Sequence, residues 1–268
     1  MTICISAICE KGEKAVVALD RMITSEALSI EFEQDLCKIE GLSDTCVVTS
    51  AGDALEPKDI LRDTKIRVNE LTKPTIRQIT DIIKEYFILR RKKNVEDELL
   101  KPRGFKDLDD FYGKMRMLPP DVYTVLDNQI SRFHILTNSM TTFLVTGIDN
   151  TGAHIYLVHD PGRTVCFDSI GFHAVGSGTP HAVSLFTSYN YTDKLPLNLA
   201  IWVVYEAKRR AEKAPGVGKG TDMCVIGSEV TYLPKEVLSQ LEEMFAQKEK
   251  QDKVWLENIP QFTVEGKE

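Results

Sequence analysis

The sequence predicts an α+β fold: a four-layer αββα sandwich, two antiparallel sheets face to face between outer layers of helices. Two observations predict it. The apolar strands are nearly continuous rather than alternating, the pattern of strands covered on both faces. The elements also run in the order strands, two helices, strands, two helices, strand, so each group of strands has a helix pair beside it.

The first group opens with residues 2–9, turns at Glu10-Lys11-Gly12-Glu13 and returns through Ala15-Val16-Val17-Ala18-Leu19. Cys46-Val47-Val48-Thr49-Ser50 is a further strand ending at Ala51-Gly52. Asp53 or Pro57 opens a helix running to about Leu71, and Thr75 caps a second. In that second helix Ile79, Ile82, Ile83, Tyr86 and Phe87 share one face. Residues 91–135 form a helical insertion. Its basic run, Arg90 to Lys93, and its acidic run, Glu96 to Glu98, read as a solvated helix end. Short helices are expected at Asp107–Met115 and 121–133.

The second group is Thr141–Gly147, His154–His159 and Thr164–Ser169, with turns at Asp149-Asn150-Thr151-Gly152 and Asp160-Pro161-Gly162. A short strand ends in Gly176-Ser177-Gly178. Helices follow at about 180–188 and 194–213, the latter with Leu197, Ala200, Val203, Val204, Ala207 and Ala211 on its apolar side. A turn, Gly216 to Gly220, leads to the strand Asp222–Ile226 and a last helix at 234–249. The expectation is one domain over 1–268, with a helical tail from about 232 to 268.

Composition narrows the function. The 268 residues are 43% hydrophobic with a net charge of −7, which argues against a nucleic-acid binder. No apolar run approaches the ~20 residues of a membrane span. Glu10, Lys11, Glu13, Lys14 and Asp20 argue against a signal peptide. The six cysteines form no CxxC pair and no metal spacing with the five histidines, so reduced thiols in a cytoplasmic protein are expected, with no metal and no cofactor.

The residue with most chemical content is Thr2. Removal of Met1 leaves a threonine whose hydroxyl is a nucleophile and whose own α-amine, of pKa near ~8, is a base. Cys4 and Cys9 are rejected as alternative nucleophiles, since neither becomes N-terminal without proteolysis.

Five segments in order support that reading: Thr2 opening the first strand; Val16-Val17-Ala18-Leu19-Asp20-Arg21-Met22-Ile23-Thr24; Lys38-Ile39 followed by Cys46 to Asp53; Phe143 to Gly147 through Ala174-Val175-Gly176-Ser177-Gly178; and Gly220-Thr221-Asp222-Met223-Cys224-Val225-Ile226. Together they resemble the proteasome β-subunit and HslV-like family of N-terminal-nucleophile (Ntn) hydrolases, bacterial and archaeal homologues included, over residues 2–90 and 140–228. The resemblance implies a threonine-type peptidase. Thr2 would be the nucleophile, Lys38 would favour its alkoxide-like state, and Asp20 would hold Lys38. The Gly52 N–H would face the oxyanion, and Ser177 would hydrogen-bond near the amine. Thr24, Thr49 and Ser50 would line the substrate groove. It further implies peptide or unfolded-protein substrates, a homo-oligomeric ring and an ATP-dependent unfoldase as partner, with no nucleic acid and no membrane.

The same fold class also admits a non-catalytic ring or scaffold subunit, and a narrow amidase or transpeptidase. The chain departs from the family in three places, one being that Asp20 is followed at once by Arg21 while Met22 occupies the place expected for the Arg. The hairpin from Thr2 to Asp20 is longer, so an ungapped alignment through Gly12 sets Ile3 at the nucleophile position. Ala214 and Val217 stand where many members carry a supporting Asp and Ser.

Overall fold

A computed structural model describes residues 2–25, 30–35, 37–52, 56–133, 141–159 and 162–260. The chain divides after Tyr232 into a body, Met1–Tyr232, and a C-terminal unit, Leu233–Glu268. The body runs β1 (Ile3–Cys9), β2 (Lys14–Asp20), β3 (Met22–Ser25), β4 (Ile30–Glu33), β5 (Glu40–Ser43), β6 (Cys46–Ala51), α1 (Glu56–Asn69), α2 (Ile76–Val95), α3 (Leu108–Gly113), α4 (Pro120–Ser131), β7 (Thr142–Asp149), β8 (Gly152–His159), β9 (Arg163–Cys166), β10 (Phe172–Gly176), α5 (Thr179–Ser188), α6 (Leu197–Ala211), β11 (Thr221–Ile226) and β12 (Val230–Tyr232). The C-terminal unit is one amphipathic helix, α7 (Lys235–Glu257). It runs eight residues past the expected end because residues 250–257 hold no Gly or Pro to stop it.

The body is mixed α+β with antiparallel sheets. One sheet has the order β10-β1-β2-β11-β12 and the other β5-β6-β7-β8-β9, while β3 and β4 make a separate ribbon. The continuous apolar runs are explained by what covers each face. All seven residues of β1 are buried. Cys4, Ile8, Val17, Leu19, Cys224 and Ile226 of the first sheet share one core with Val47, Ala51, Leu144 and Ile155 of the second. One residue out of phase, Val48, Phe143, Val145 and Val158 pack instead against Ile60, Ile76, Ile79, Ile83 and Phe87 of α1 and α2. On the first sheet, α6 covers β1 and β2, and α5 packs on α6 and β10. Each such side chain is worth ~1.5–3 kcal/mol on full burial.

Local signals explain several boundaries. Thr75 caps α2 through a capping box with Gln78. Asp107 caps α3, accepting from the Asp110 N–H at 2.7 Å. Helix α6 starts at Leu197 rather than 194 because Pro196 forms its N-cap. Strand β9 stops at Cys166, short of Ser169, because the chain turns there: the Ile170 and Gly171 N–H groups both donate to the Phe167 carbonyl. Asp168 is drawn off the strand line by the Ile155 N–H and the His154 ring. The insertion has its own core of Val95, Leu99, Leu100, Phe111, Leu126 and Phe133. No described helix is long and apolar enough to cross a membrane.

Candidate active site

The site is assembled where β1 begins and β2 ends. Pairing runs from Cys9 opposite Lys14 to Cys4 opposite Leu19, so the next step sets Ile3 across from Asp20. The strands of this hairpin pair without a break in register, and the irregularity lies in its turn. Glu10 and Lys11 take left-handed backbone angles, φ 52° and 60°, an unfavourable conformation for side-chain-bearing residues. Neighbouring backbone holds them there. Their N–H groups donate to Leu195 O at 3.0 Å and Asp193 O at 2.7 Å. The Glu10 carboxylate accepts from the Leu197 N–H at 2.7 Å, which also satisfies the start of α6.

With that register, Thr2 reaches Asp20. The Thr2 hydroxyl donates to Asp20 Oδ1, and the Ile3 N–H points to the same oxygen at 3.3 Å. Lys38, between β4 and β5, donates to Thr2 Oγ1 at 3.1 Å, to Asp20 Oδ1 at 3.2 Å and to the Met22 carbonyl at 2.7 Å. Asp20 Oδ2 accepts from the Gly218 N–H at 2.7 Å. Asp20 is fully buried and Thr2 nearly so, while the Lys38 side chain keeps 24% of its surface exposed. The carboxylate is thus satisfied on both oxygens, as a buried charge must be.

The neighbouring Arg21 staples the end of β2 to the start of β11. Its guanidinium engages Asp222 through Nε at 3.1 Å and Nη2 at 2.7 Å, and Asp35 at 2.9 Å. The immediate Asp20-Arg21 succession therefore serves a sheet contact outside the Thr2 triad.

The other expected site residues divide. Gly176 pairs with Ile3, and its φ of +112° suits glycine; a Cβ there would collide with the Thr2 carbonyl. The adjoining Ser177 is half-buried and spends its hydroxyl on the Pro215 carbonyl at 3.0 Å rather than on Thr2. Gly52 is exposed just past β6, with φ +116°. The end of β6 lies beside the start of β1, since the Cys4 thiol donates to the Ser50 carbonyl at 3.4 Å. Thr49 does not line an open groove. It is 1% exposed, on the β6 face that Val47 and Ala51 direct into the intersheet core. Ser50 is half-buried, and Thr24 lies on the β3–β4 ribbon opposite Glu31.

Sequence reasoning missed two contributors. One is the Gly218 N–H. It comes from the Gly-rich turn that leads into β11, next to the buried Val217. The other is Lys208, whose side chain has no exposed surface. It sits four residues after Val204 and three before Ala211, on the apolar side of α6, and that misplaced charge was a readable signal.

The charges also sort the nucleophiles. Burial pushes the Cys4 thiol up to about 12, with Asp20 adding to the rise and Lys38 opposing it, so that sulfur stays protonated at neutral pH. The Thr2 hydroxyl instead has a direct ammonium contact. Among the described residues, no group of three His, Cys, Asp or Glu is placed to hold a metal ion. No model of a known protein family matches the chain, and no curated protein matches it in sequence.

The arrangement can do one thing well. An ammonium 3.1 Å from a hydroxyl oxygen stabilises negative charge developing on that oxygen. A buried carboxylate keeps the ammonium in place. The hydroxyl hydrogen is directed at Asp20 Oδ1, and the Thr2 nitrogen is a second candidate acceptor on the same residue.

Proposed function

We propose that this protein is an N-terminal-threonine hydrolase of the proteasome type, with a four-layer Ntn fold, cleaving amide bonds in peptides or unfolded proteins. The observation that carries the reading is the Lys38 ammonium on Thr2 Oγ1, with buried Asp20 holding both. After removal of Met1, the Thr2 amine takes the hydroxyl proton as Oγ bonds to the substrate carbonyl carbon. The protonated amine then gives that proton to the leaving amine nitrogen as the C–N bond breaks. Water, deprotonated by the same amine, attacks the resulting ester and frees the acid and the Thr2 hydroxyl.

The intersheet core between β1 and β6 supports the fold reading, and the exposed Gly52 N–H beyond β6 is the oxyanion donor in this scheme. A homo-oligomeric ring in the cytoplasm, fed by an ATP-dependent unfoldase, completes the proposal.

The test is intact-mass analysis of purified protein with and without a carbonyl-directed β-lactone, followed by peptide mapping. The expected result is loss of Met1 and an adduct on the peptide that begins at Thr2, absent in Thr2→Ala. Retention of Met1 together with no adduct would sink the proposal.

A further inference from the structure

We propose that Lys208 is a positioning residue for this site, anchoring the Gly-rich turn so that the Gly218 N–H orients the Asp20 carboxylate. The inference rests on the reading of Thr2 as nucleophile. Lys208 Nζ donates to the Lys219 carbonyl at 2.6 Å and to Glu212 Oε1 at 2.6 Å. One residue before Lys219, the Gly218 N–H donates to Asp20 Oδ2 at 2.7 Å. The turn is also pinned from its other side, where the Gly220 N–H donates to Glu33 Oε1 at 3.0 Å. A Cβ on Gly218 would collide with that Glu33 carboxylate, so the backbone lies tight against the β3–β4 ribbon.

The geometry divides the work of the carboxylate. Because Oδ2 is taken by the turn, Oδ1 is left to face Thr2 and Lys38. Freed of the Gly218 N–H, the carboxylate can rotate about its Cβ–Cγ bond and share Oδ2 with Lys38, which moves the ammonium off Thr2 Oγ1.

A lysine in this place is expensive as mere filling. Burial disfavours its charge and lowers its pKa, against the pull of Glu212 and Asp20. Glu212 also lies 3.3 Å from Arg209 Nε, so its charge is shared. An apolar replacement of the whole Lys208–Glu212 pair would fill the site without the desolvation cost, and such replacements of buried ion pairs are often neutral or stabilising. Lys208 does what an apolar side chain cannot: it donates to a loop carbonyl.

The experiment compares wild type with Lys208→Met in the full chain. It measures β-lactone labelling of Thr2 and amide hydrogen exchange at Gly218, with thermal melting as the fold control. The expected result is labelling slowed roughly tenfold or more and Gly218 exchange accelerated, in a protein that still melts cooperatively but at a lowered temperature, since Glu212 loses its lysine. Labelling within about twofold of wild type overturns the proposal, whatever happens to exchange. Slower labelling with unchanged Gly218 protection also overturns it, because the route through the turn is then absent. If wild type itself is not labelled, the reading of Thr2 fails separately, and Gly218 exchange alone still decides whether Lys208 anchors the turn. Should Lys208→Met not fold, Glu212→Gln leaves the lysine in place and removes its counter-charge. The same two changes, smaller, are then expected, and their absence overturns the proposal.

Discussion

Replacing Lys38 by methionine keeps the side-chain stem and removes the charge that faces Thr2. At 3.1 Å and an effective dielectric of ~20, two full charges interact by ~5 kcal/mol. The hydroxyl carries only part of a charge in the transition state, and Lys38 is about a quarter exposed, so roughly half of that is available, or ~2–3 kcal/mol. That corresponds to acylation slowed about 100-fold. The assay is the pseudo-first-order rate of β-lactone adduct formation on Thr2, read by intact mass. Met1 removal and melting temperature are followed in parallel, because Asp20 loses one of its partners. A Lys38→Met protein that is folded, lacks Met1 and labels within about twofold of wild type would refute the assigned role of the ammonium.

Three further outcomes are expected. Gly176→Ala should lower the melting temperature and slow Thr2 labelling, because a Cβ at φ +112° meets the Thr2 carbonyl; chemical denaturation should show a loss of ~2–4 kcal/mol. His173 is pushed down to about 4 by burial, so between about 4 and 6.5 the unfolded chain binds the extra proton. Stability should therefore rise with pH across that window and level off above it. In His173→Phe the dependence should weaken, as read from melting temperature against pH. Iodoacetamide at neutral pH should modify the exposed Cys37 and Cys166 well before Cys4 and Cys224, whose thiols burial raises to about 12; peptide mass mapping orders them.

The parts of the fold legible in the sequence are those whose environment is written in the residues themselves. Strands β1, β2 and β7 read as continuous apolar runs because two different layers cover their faces. Helix α2 announced itself through Thr75 and the apolar stripe from Ile79 to Phe87, and the structure adds Gln78 to its cap. The β3–β4 ribbon gave no such signal. Every residue of β4 is exposed, so no burial pattern marks it, and only its pairing with Met22–Ser25 of β3 makes it a strand. Strands β5 and β12 were likewise unread, being short edge strands at the ends of their sheets.

For the site, the sequence by itself determined which groups are present: a threonine at position 2, an aspartate closing the second strand, a lysine at 38 and a glycine turn before the last long strand. It left open whether Thr2 or Ile3 stands at the nucleophile position of the resembled family, because counting along a hairpin depends on turn geometry. In the tertiary structure Ile3 stands across from Asp20 and meets it through its N–H, the Thr2 hydroxyl reaches the same carboxylate oxygen, and segment 193–197 holds the left-handed turn of the hairpin from outside. The tertiary structure alone also decided that Asp20 is gripped by Gly218, 198 residues away, and that Lys208 lies buried beneath that turn. Such contacts join segments whose neighbourhood exists only after the sheets and helices have packed, so no local pattern records them.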